Sequence, residues 1–194
     1  QVNDGLWLIL FGYFKKLVIA DQVSTIADLV FAAGSPSYGI DLLIGLLAFT
    51  VQIYGDFSGY SDIARGLAKL LGFEILINFK LPYFARNPSD FWARWHIALS
   101  SWIRDYLYIP LGGSRRGEWR THYNLFITMA LCGLWHGAAW NFVAWGIYHG
   151  LLSSIYRIFS RPVPRGPDGQ RLPLPPTPAP VAVLQWALML VLTI

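Results

Sequence analysis

The 194-residue chain has few charged residues and almost no cysteine. Charged side chains make up 13% of the sequence, whereas a soluble domain usually carries about 25%. Hydrophobic residues reach 55%, and the mean hydropathy is +0.43. This shortage of charge argues against an ordinary soluble domain and predicts an all-α, polytopic integral membrane protein. The single cysteine, Cys132, excludes a disulfide bond within the chain.

No Asp, Glu, Lys or Arg occurs between Thr121 and Tyr156. A membrane span needs about 20 mostly apolar residues, so this stretch is long enough to cross a bilayer once. Basic clusters flank it on both sides, and basic loops tend to be cytoplasmic. If both clusters are cytoplasmic, the stretch turns back inside the membrane, with Gly133 and Gly137 as candidate breaks. If only one is, the stretch crosses once, and the sequence leaves both alternatives open.

The two basic clusters supply most of the net charge of +4. They are not interleaved with aromatic residues as a nucleic-acid-binding surface would be, so we expect no nucleic-acid partner. The clusters consist of Arg115, Arg116 and Arg120 before the uncharged stretch and Arg157, Arg161, Arg165 and Arg171 after it.

The sequence predicts three regions. Residues 1–160 form a partial membrane-embedded core. Residues 161–180 contain eight of the chain's twelve prolines and predict an extended, exposed loop. Residues 181–194 are apolar and predict the start of a further transmembrane helix. Since the chain does not begin with Met and stops inside this apolar run, we expect it to be an internal piece of a longer protein.

The first two regular segments are predicted to be helices. The first runs from Gly5 to Ala20, and its Lys15 and Lys16 are expected to extend toward a lipid head-group region. Asp21 is expected to cap the second helix. A later apolar helix is followed by closely spaced polar residues that include Asp56 and Asp62. These aspartates indicate either solvated helix ends or a polar cavity, and the nearby pair Gly55 and Gly59 permits close helix contact.

A strong helix start occurs at residues 87–90. Asn87 is expected at the N-cap and Pro88 at the first helical position. One helix is predicted to continue from there to Tyr108, with an aromatic stripe at spacings of three and four. Because Arg94 and Arg104 are too charged for a lipid-facing span, this helix is predicted to lie at the membrane interface or inside the protein.

His136 lies near the middle of the uncharged stretch, where an ionisable side chain is costly and is a candidate for function. Burial disfavours a charged imidazole, so we expect a neutral ring that can accept a proton near pH 7. His96 lies in a similar aromatic setting, although either ring could instead be a hydrogen-bonded core histidine. His149 would lie on the opposite face if the helix were continuous. No histidine pair has metal-ligand spacing, so no metal is expected, and Cys132 is expected to be a packing residue.

Three ordered segments resemble the membrane-bound O-acyltransferase family: Tyr54–Phe73, Phe91–Gly113 and Leu131–Gly150. The resemblance implies a helical bundle around a central funnel, a catalytic histidine at His136 and the second family histidine at His96. From the matched motifs we expect the substrate-binding residues to be Asp56, Tyr60, Arg94, Trp135 and Asn141.

Within the family, the chain is most similar to alginate O-acetyltransferases, and the run Tyr108–Gly113 favours them over relatives that move D-alanine onto teichoic acid. The resemblance implies acetyl transfer to hydroxyls of an exopolysaccharide, with alginate as the first expectation. We expect no bound cofactor, acetyl-CoA or an acyl carrier as the donor, periplasmic or membrane partner proteins, and a multi-pass protein of the plasma (inner) membrane. A transporter or channel subunit is the alternative from another class, but it predicts acidic residues spread through several spans.

Overall fold

The computed structural model describes residues 1–32, 38–160 and 178–193, and the regular secondary structure of these residues is helical throughout. The all-α prediction is therefore confirmed for this part of the chain. The chain divides into two compact units, whose main parts are Gln1–Lys80 and Leu81–Leu192. Most of the predicted proline-rich loop lies outside the described residues, and the helix that follows it begins at Ala179, two residues earlier than predicted.

In the first unit, an almost uninterrupted helical rod packs against one long helix. The rod consists of α1 (Val2–Tyr13), a π-helical segment (Phe14–Ala20) and α2 (Asp21–Phe31). It runs antiparallel along α3 (Gly39–Leu70), because successive contacts move forward on the rod and backward on α3.

Glycines allow this close approach. A Cβ added at Gly12 would lie 2.6 Å from the carbonyl oxygen of Gly59, and one added at Gly66 would lie 2.5 Å from that of Gly5. A Cβ at Gly55 would lie 3.0 Å from the Cβ of Ala20. Small residues at a helix contact let the two backbones approach each other. The predicted role of Gly55 and Gly59 is therefore confirmed.

The two lysines of the rod bind carboxylates of α3. Lys15 Nζ lies 2.5 Å from Asp62 Oδ2, and Lys16 Nζ lies 2.6 Å from Asp56 Oδ1. Lys16 also lies 2.7 Å from Asp21, which is in continuous helical backbone and caps no helix end. The prediction of an Asp21 cap is thus wrong, and so is the prediction of a head-group position for Lys15, whose side chain is 12% exposed and bound to α3. Lys15 was mispredicted because its counter-charge, Asp62, lies far along the chain.

The second unit begins with a short 3₁₀ turn (Pro82–Phe84) and α4 (Pro88–Trp92). Asn87 caps α4 as predicted, since its side-chain oxygen accepts a hydrogen bond of 2.8 Å from the backbone N–H of Asp90. Pro88 occupies the first helical position, where its missing N–H costs nothing.

The long helix predicted after this start is interrupted. Residues 93–96 separate α4 from α5 (Ile97–Ile103), which continues into a π-helical segment (Arg104–Tyr108). At the break His96 has φ +42° and ψ +56°, a left-handed conformation that ends any α-helical path. The aromatic stripe predicted for one continuous helix is therefore divided between two helices.

The uncharged stretch is also two helices, α6 (Glu118–His136) and α7 (Trp140–Phe159). They form an antiparallel hairpin, because Arg157 near the end of α7 binds Glu118 at the start of α6, with Nε 3.1 Å from Oε2. Gly133 and Gly146 bring the helices together, since a Cβ on either would collide with backbone of the other helix. The stretch therefore turns back on itself between His136 and Trp140.

The last described helix, α8 (Ala179–Thr193), packs against the start of the second unit. Trp186 donates its indole N–H to the carbonyl oxygen of Tyr83 at 2.7 Å. Met189 is buried beside Ala85 and Phe91. This small core fixes the start of α4 within the unit.

Among the described helices, α3 is the one that is both long and apolar enough to cross a membrane. The described part of α8 is apolar but shorter. Helices α6 and α7 are long enough, but their polar residues keep them below the same level of apolarity.

Candidate active site

His136 is the last residue of α6, and Gly137 follows it in extended backbone. The helix ends there, so the imidazole lies at the tip of the hairpin and is exposed. The sequence predicts a ring buried midway along a span. That expectation is wrong for this structure, because the stretch is folded in two and its middle is a turn.

Aromatic rings surround the His136 imidazole on several sides. The ring of Trp135 lies 5.0 Å away, centroid to centroid, and that of Trp145 lies 5.2 Å away, both nearly perpendicular to it. Phe142 stacks at 6.3 Å with an interplanar angle of 26°. An exposed imidazole held among rings can meet a substrate while its orientation stays restricted.

The space beside Gly137 is filled by this same Phe142. A Cβ at Gly137 would lie 2.7 Å from the Phe142 ring. The absence of a side chain at Gly137 lets the phenyl ring reach the face of the histidine.

His149 joins this cluster, although the sequence predicted it on the opposite face. Its ring lies 4.8 Å from Trp145 and 5.2 Å from Trp92. The prediction assumed one continuous helix after His136. Since the chain reverses at residues 137–139, His149 lies on a different helix and faces the same aromatic cluster.

His96 lies close to the hairpin tip. Its ring centroid is 6.3 Å from that of Trp135, which in turn contacts His136. The left-handed backbone at His96 is uncommon for a residue with a side chain, and such conformations cluster at functional sites. The structure thus brings His96, Trp135 and His136 together.

Asp56 and Tyr60 lie in the first unit, one turn apart on α3. They line an open groove of about 370 Å³ together with Lys16, Phe57 and Ile63. Asp56 and Asp62 both lie within α3 and pair with lysines. Of the two alternatives for these aspartates, solvated helix ends is therefore wrong.

The two remaining candidates have different surroundings. Arg94 is held by Asp90, with Nε 2.7 Å from Oδ1, one helical turn earlier. Asn141 is exposed in the first turn of α7, five residues after His136. Their substrate-binding roles stay predictions.

No group of three His, Cys, Asp or Glu side chains that could hold a metal ion occurs within the described ranges. The sequence analysis gave no role at the site to three residues that the structure places in the aromatic cluster or at the groove: Trp145, His149 and Lys16. The i, i+4 spacing of Trp145 and His149 was a usable signal, because it places both rings on one face of a helix that starts after Gly137.

Comparison with known protein families gives a match over residues 7–179 to the membrane-bound O-acyltransferase family. The chain belongs to this family. The three motif segments noted in the sequence all lie inside the matched region.

Individual curated proteins resemble the chain to different degrees. A Pseudomonas putida protein named probable alginate O-acetylase AlgI is 48% identical over 81% of the chain and 32% of its own length. A Helicobacter pylori peptidoglycan O-acetyltransferase is 43% identical over 80% of the chain and 30% of its own length. A Bacillus subtilis teichoic acid D-alanyltransferase is 27% identical over 81% of the chain and 42% of its own length. The chain spans about a third of the length of these two acetyltransferase relatives.

Proposed function

We propose that this chain is part of an enzyme that transfers acetyl groups to hydroxyls of an exopolysaccharide, with alginate as the first candidate. The names of its relatives support this reading, because an alginate O-acetylase and a peptidoglycan O-acetyltransferase both modify carbohydrate polymers. The D-alanyltransferase relative is a more distant one at 27% identity, so D-alanyl transfer to teichoic acid is the weaker reading.

In the proposed reaction, His136 is the general base. Its imidazole accepts the proton of a polymer hydroxyl while the hydroxyl oxygen attacks the acetyl carbonyl. The acetyl ester forms, the bond to the donor breaks, and the proton passes to the departing donor group. The observation that carries this proposal is the placement of His136, with an exposed ring at the hairpin tip held among Trp135, Phe142 and Trp145.

His96 is proposed as the second histidine of the reaction, orienting a substrate from beside Trp135. The other proposed substrate-binding residues act by hydrogen bonding or by stacking. Trp135 and Asn141 are exposed near the base, where an indole can stack on a sugar ring and an amide can bind hydroxyls. Asp56, Tyr60 and Arg94 supply further hydrogen-bonding groups.

The proposed setting is a multi-pass protein of the plasma (inner) membrane, in a helical bundle around a central funnel that the full-length protein completes. The donor is acetyl-CoA or an acyl carrier, and no bound cofactor or metal takes part. Partner proteins in the membrane or periplasm bring donor and polymer to the site.

A second acceptor is favoured by one specific observation. The peptidoglycan O-acetyltransferase is 43% identical, close to the 48% of the alginate O-acetylase. Sugar hydroxyls of peptidoglycan therefore remain the second candidate for the same chemistry.

The test uses the full-length protein that contains this chain, in cells whose own gene is deleted. Exopolysaccharide and peptidoglycan are purified and their acetyl and D-alanyl esters are measured by mass spectrometry. We expect acetyl esters on the exopolysaccharide with the wild-type gene and almost none with His136→Ala at equal membrane abundance. Esters found only on peptidoglycan would select the second acceptor, and D-alanyl esters would select the teichoic acid reading.

A further inference from the structure

His149 is a buried histidine that has no role in the proposed reaction. Only 3% of its surface is exposed, so it cannot meet a polymer hydroxyl directly. Burying a polar imidazole costs free energy unless its contacts compensate. The contacts of this ring therefore indicate what the residue does.

Those contacts lead to His136 through one residue. Trp145 lies between the two histidines, 4.8 Å from His149 and 5.2 Å from His136, centroid to centroid. Trp92 of α4 supports the pair from the side, at 5.8 Å from Trp145 and 5.2 Å from His149. Phe91 stacks on His149 at 6.2 Å with an interplanar angle of 10°. His149 is thus clamped by α4 and in turn contacts the indole of Trp145.

The backbone holds this arrangement in place. Gly146 and Gly150 directly follow Trp145 and His149, and both glycines lie against α6 around Met129. These close contacts fix the rotation of α7 about its own axis. The face of α7 that carries Trp145 and His149 is therefore fixed relative to α6. His136, by contrast, is exposed at the end of α6 and depends on neighbouring rings for its orientation.

We propose that His149 is a positioning residue: its ring holds Trp145 against His136 and thereby fixes the imidazole of the base. This inference rests on the proposed role of His136. It assigns the effect to the planar ring of His149, which packs on both α4 and Trp145, and it assigns no proton transfer to His149.

Kinetics of the full-length enzyme test the proposal. His149→Ala should lower kcat by about 10²-fold, the cost of a small misplacement of a catalytic group, with KM for the polymer nearly unchanged. His149→Phe keeps a planar ring and should restore most of the activity. The matched control is Leu151→Ala, at an exposed position of the same helix, which should behave as wild type. Equal losses in His149→Ala and His149→Phe would overturn the proposal.

A double-mutant cycle then identifies the route. If His149 acts through Trp145, the double variant His149→Ala, Trp145→Ala should be no slower than Trp145→Ala alone. Leu151→Ala combined with Trp145→Ala should give additive effects. Additive losses for His149 and Trp145 would contradict the inference.

An independent readout needs no acetyl transfer. All native cysteines of the full-length protein, Cys132 included, are first replaced by Ser. His136→Cys then introduces a thiol at the hairpin tip, and its labelling rate by a water-soluble maleimide reports how far Trp145 covers it. Adding His149→Ala should speed the labelling, and adding Leu151→Ala should not. Unchanged labelling after His149→Ala would refute the positioning role. Full activity of His136→Ala would refute the proposed function, but it would not alter the labelling result.

Discussion

The polar side chains discussed above have different surroundings in the two units. In the first, lysines and carboxylates pair across closely packed helices, and Lys15 and Asp62 have side chains only 12% and 17% exposed. In the second, His136 and His149 are surrounded by aromatic rings. A carboxylate that already accepts from a lysine is engaged in an ion pair, whereas imidazole is the side chain that most often serves as a general base. The comparison indicates that ion pairs stabilise the first unit, whereas the residue proposed as the general base lies in the second.

The largest expected effect is at the base. His136→Gln keeps hydrogen bonding and approximate size but cannot accept a proton near pH 7, so we expect a rate loss of about 10²–10⁴-fold. Acetyl esters per polymer chain, measured by mass spectrometry at matched membrane abundance, give the result. His96→Gln is the companion variant and should be impaired less, because it is proposed to orient a substrate. If His136→Gln acetylates at nearly the wild-type rate, His136 is structural and the base must be sought at His96.

The second prediction concerns the ion pairs of the first unit. Lys15→Ala leaves the partly buried Asp62 with Arg65 as its remaining cation, at 3.2 Å. We expect a loss of stability of about 1–2 kcal/mol, more than for an exposed pair but less than for a buried charge left without any partner, with activity per folded molecule retained. The loss of stability is measured by heating the protein in detergent and monitoring its unfolding by size-exclusion chromatography.

Lys16→Ala is the matched control for Lys15→Ala, because the Lys16 side chain is 43% exposed and solvent screens its pairs. It should destabilise the protein less. Equal stability of the Lys15 variant and the wild type would show that the first unit does not depend on this pair.

The third prediction separates the two aspartates of α3. Asp56 lines the open groove, so Asp56→Asn should lower activity more than it lowers membrane abundance. Asp62→Asn should mainly lower abundance, since Asp62 is bound by both Lys15 and Arg65. Immunoblots and acetyl-ester content of the same cells give both quantities. Parallel losses of activity and abundance in Asp56→Asn would assign it a purely structural role.

Local signals in the sequence were sufficient for several features. The cap at Asn87 was predictable because an N-cap needs only its own side chain and the next turn. The close approach at Gly55 and Gly59 was also predictable, since small residues on one face allow it. The family was recognised from three motif segments that occur in order along the chain, and the roles that the resemblance implies for His96 and His136 stay predictions.

The missed features depend on distant parts of the chain. Nothing near Lys15 indicates a partner at Asp62, 47 residues later. No glycine or proline adjoins His96, so the sequence contains no signal for the helix break there. The left-handed backbone at His96 is imposed by the fold around it. The burial of His149 beside Trp92 follows from the hairpin reversal and from α4 together, so the period of α7 alone could not reveal it.

The smallest effect is expected at Cys132, four residues before the base on α6. Its thiol is only 2% exposed, next to the point where Gly133 meets α7, so an acyl donor cannot reach it without separation of the helices. Cys132→Ala should therefore keep most of the acetylation and cost on the order of 1 kcal/mol of stability, as typical point mutants do. Activity and thermal unfolding of the same preparation measure the two effects, with His136→Ala as the inactive control. An acetyl thioester trapped on Cys132 would contradict this, because transfer would then proceed in two steps through the thiol, and His136 would activate that thiol as well as the polymer hydroxyl.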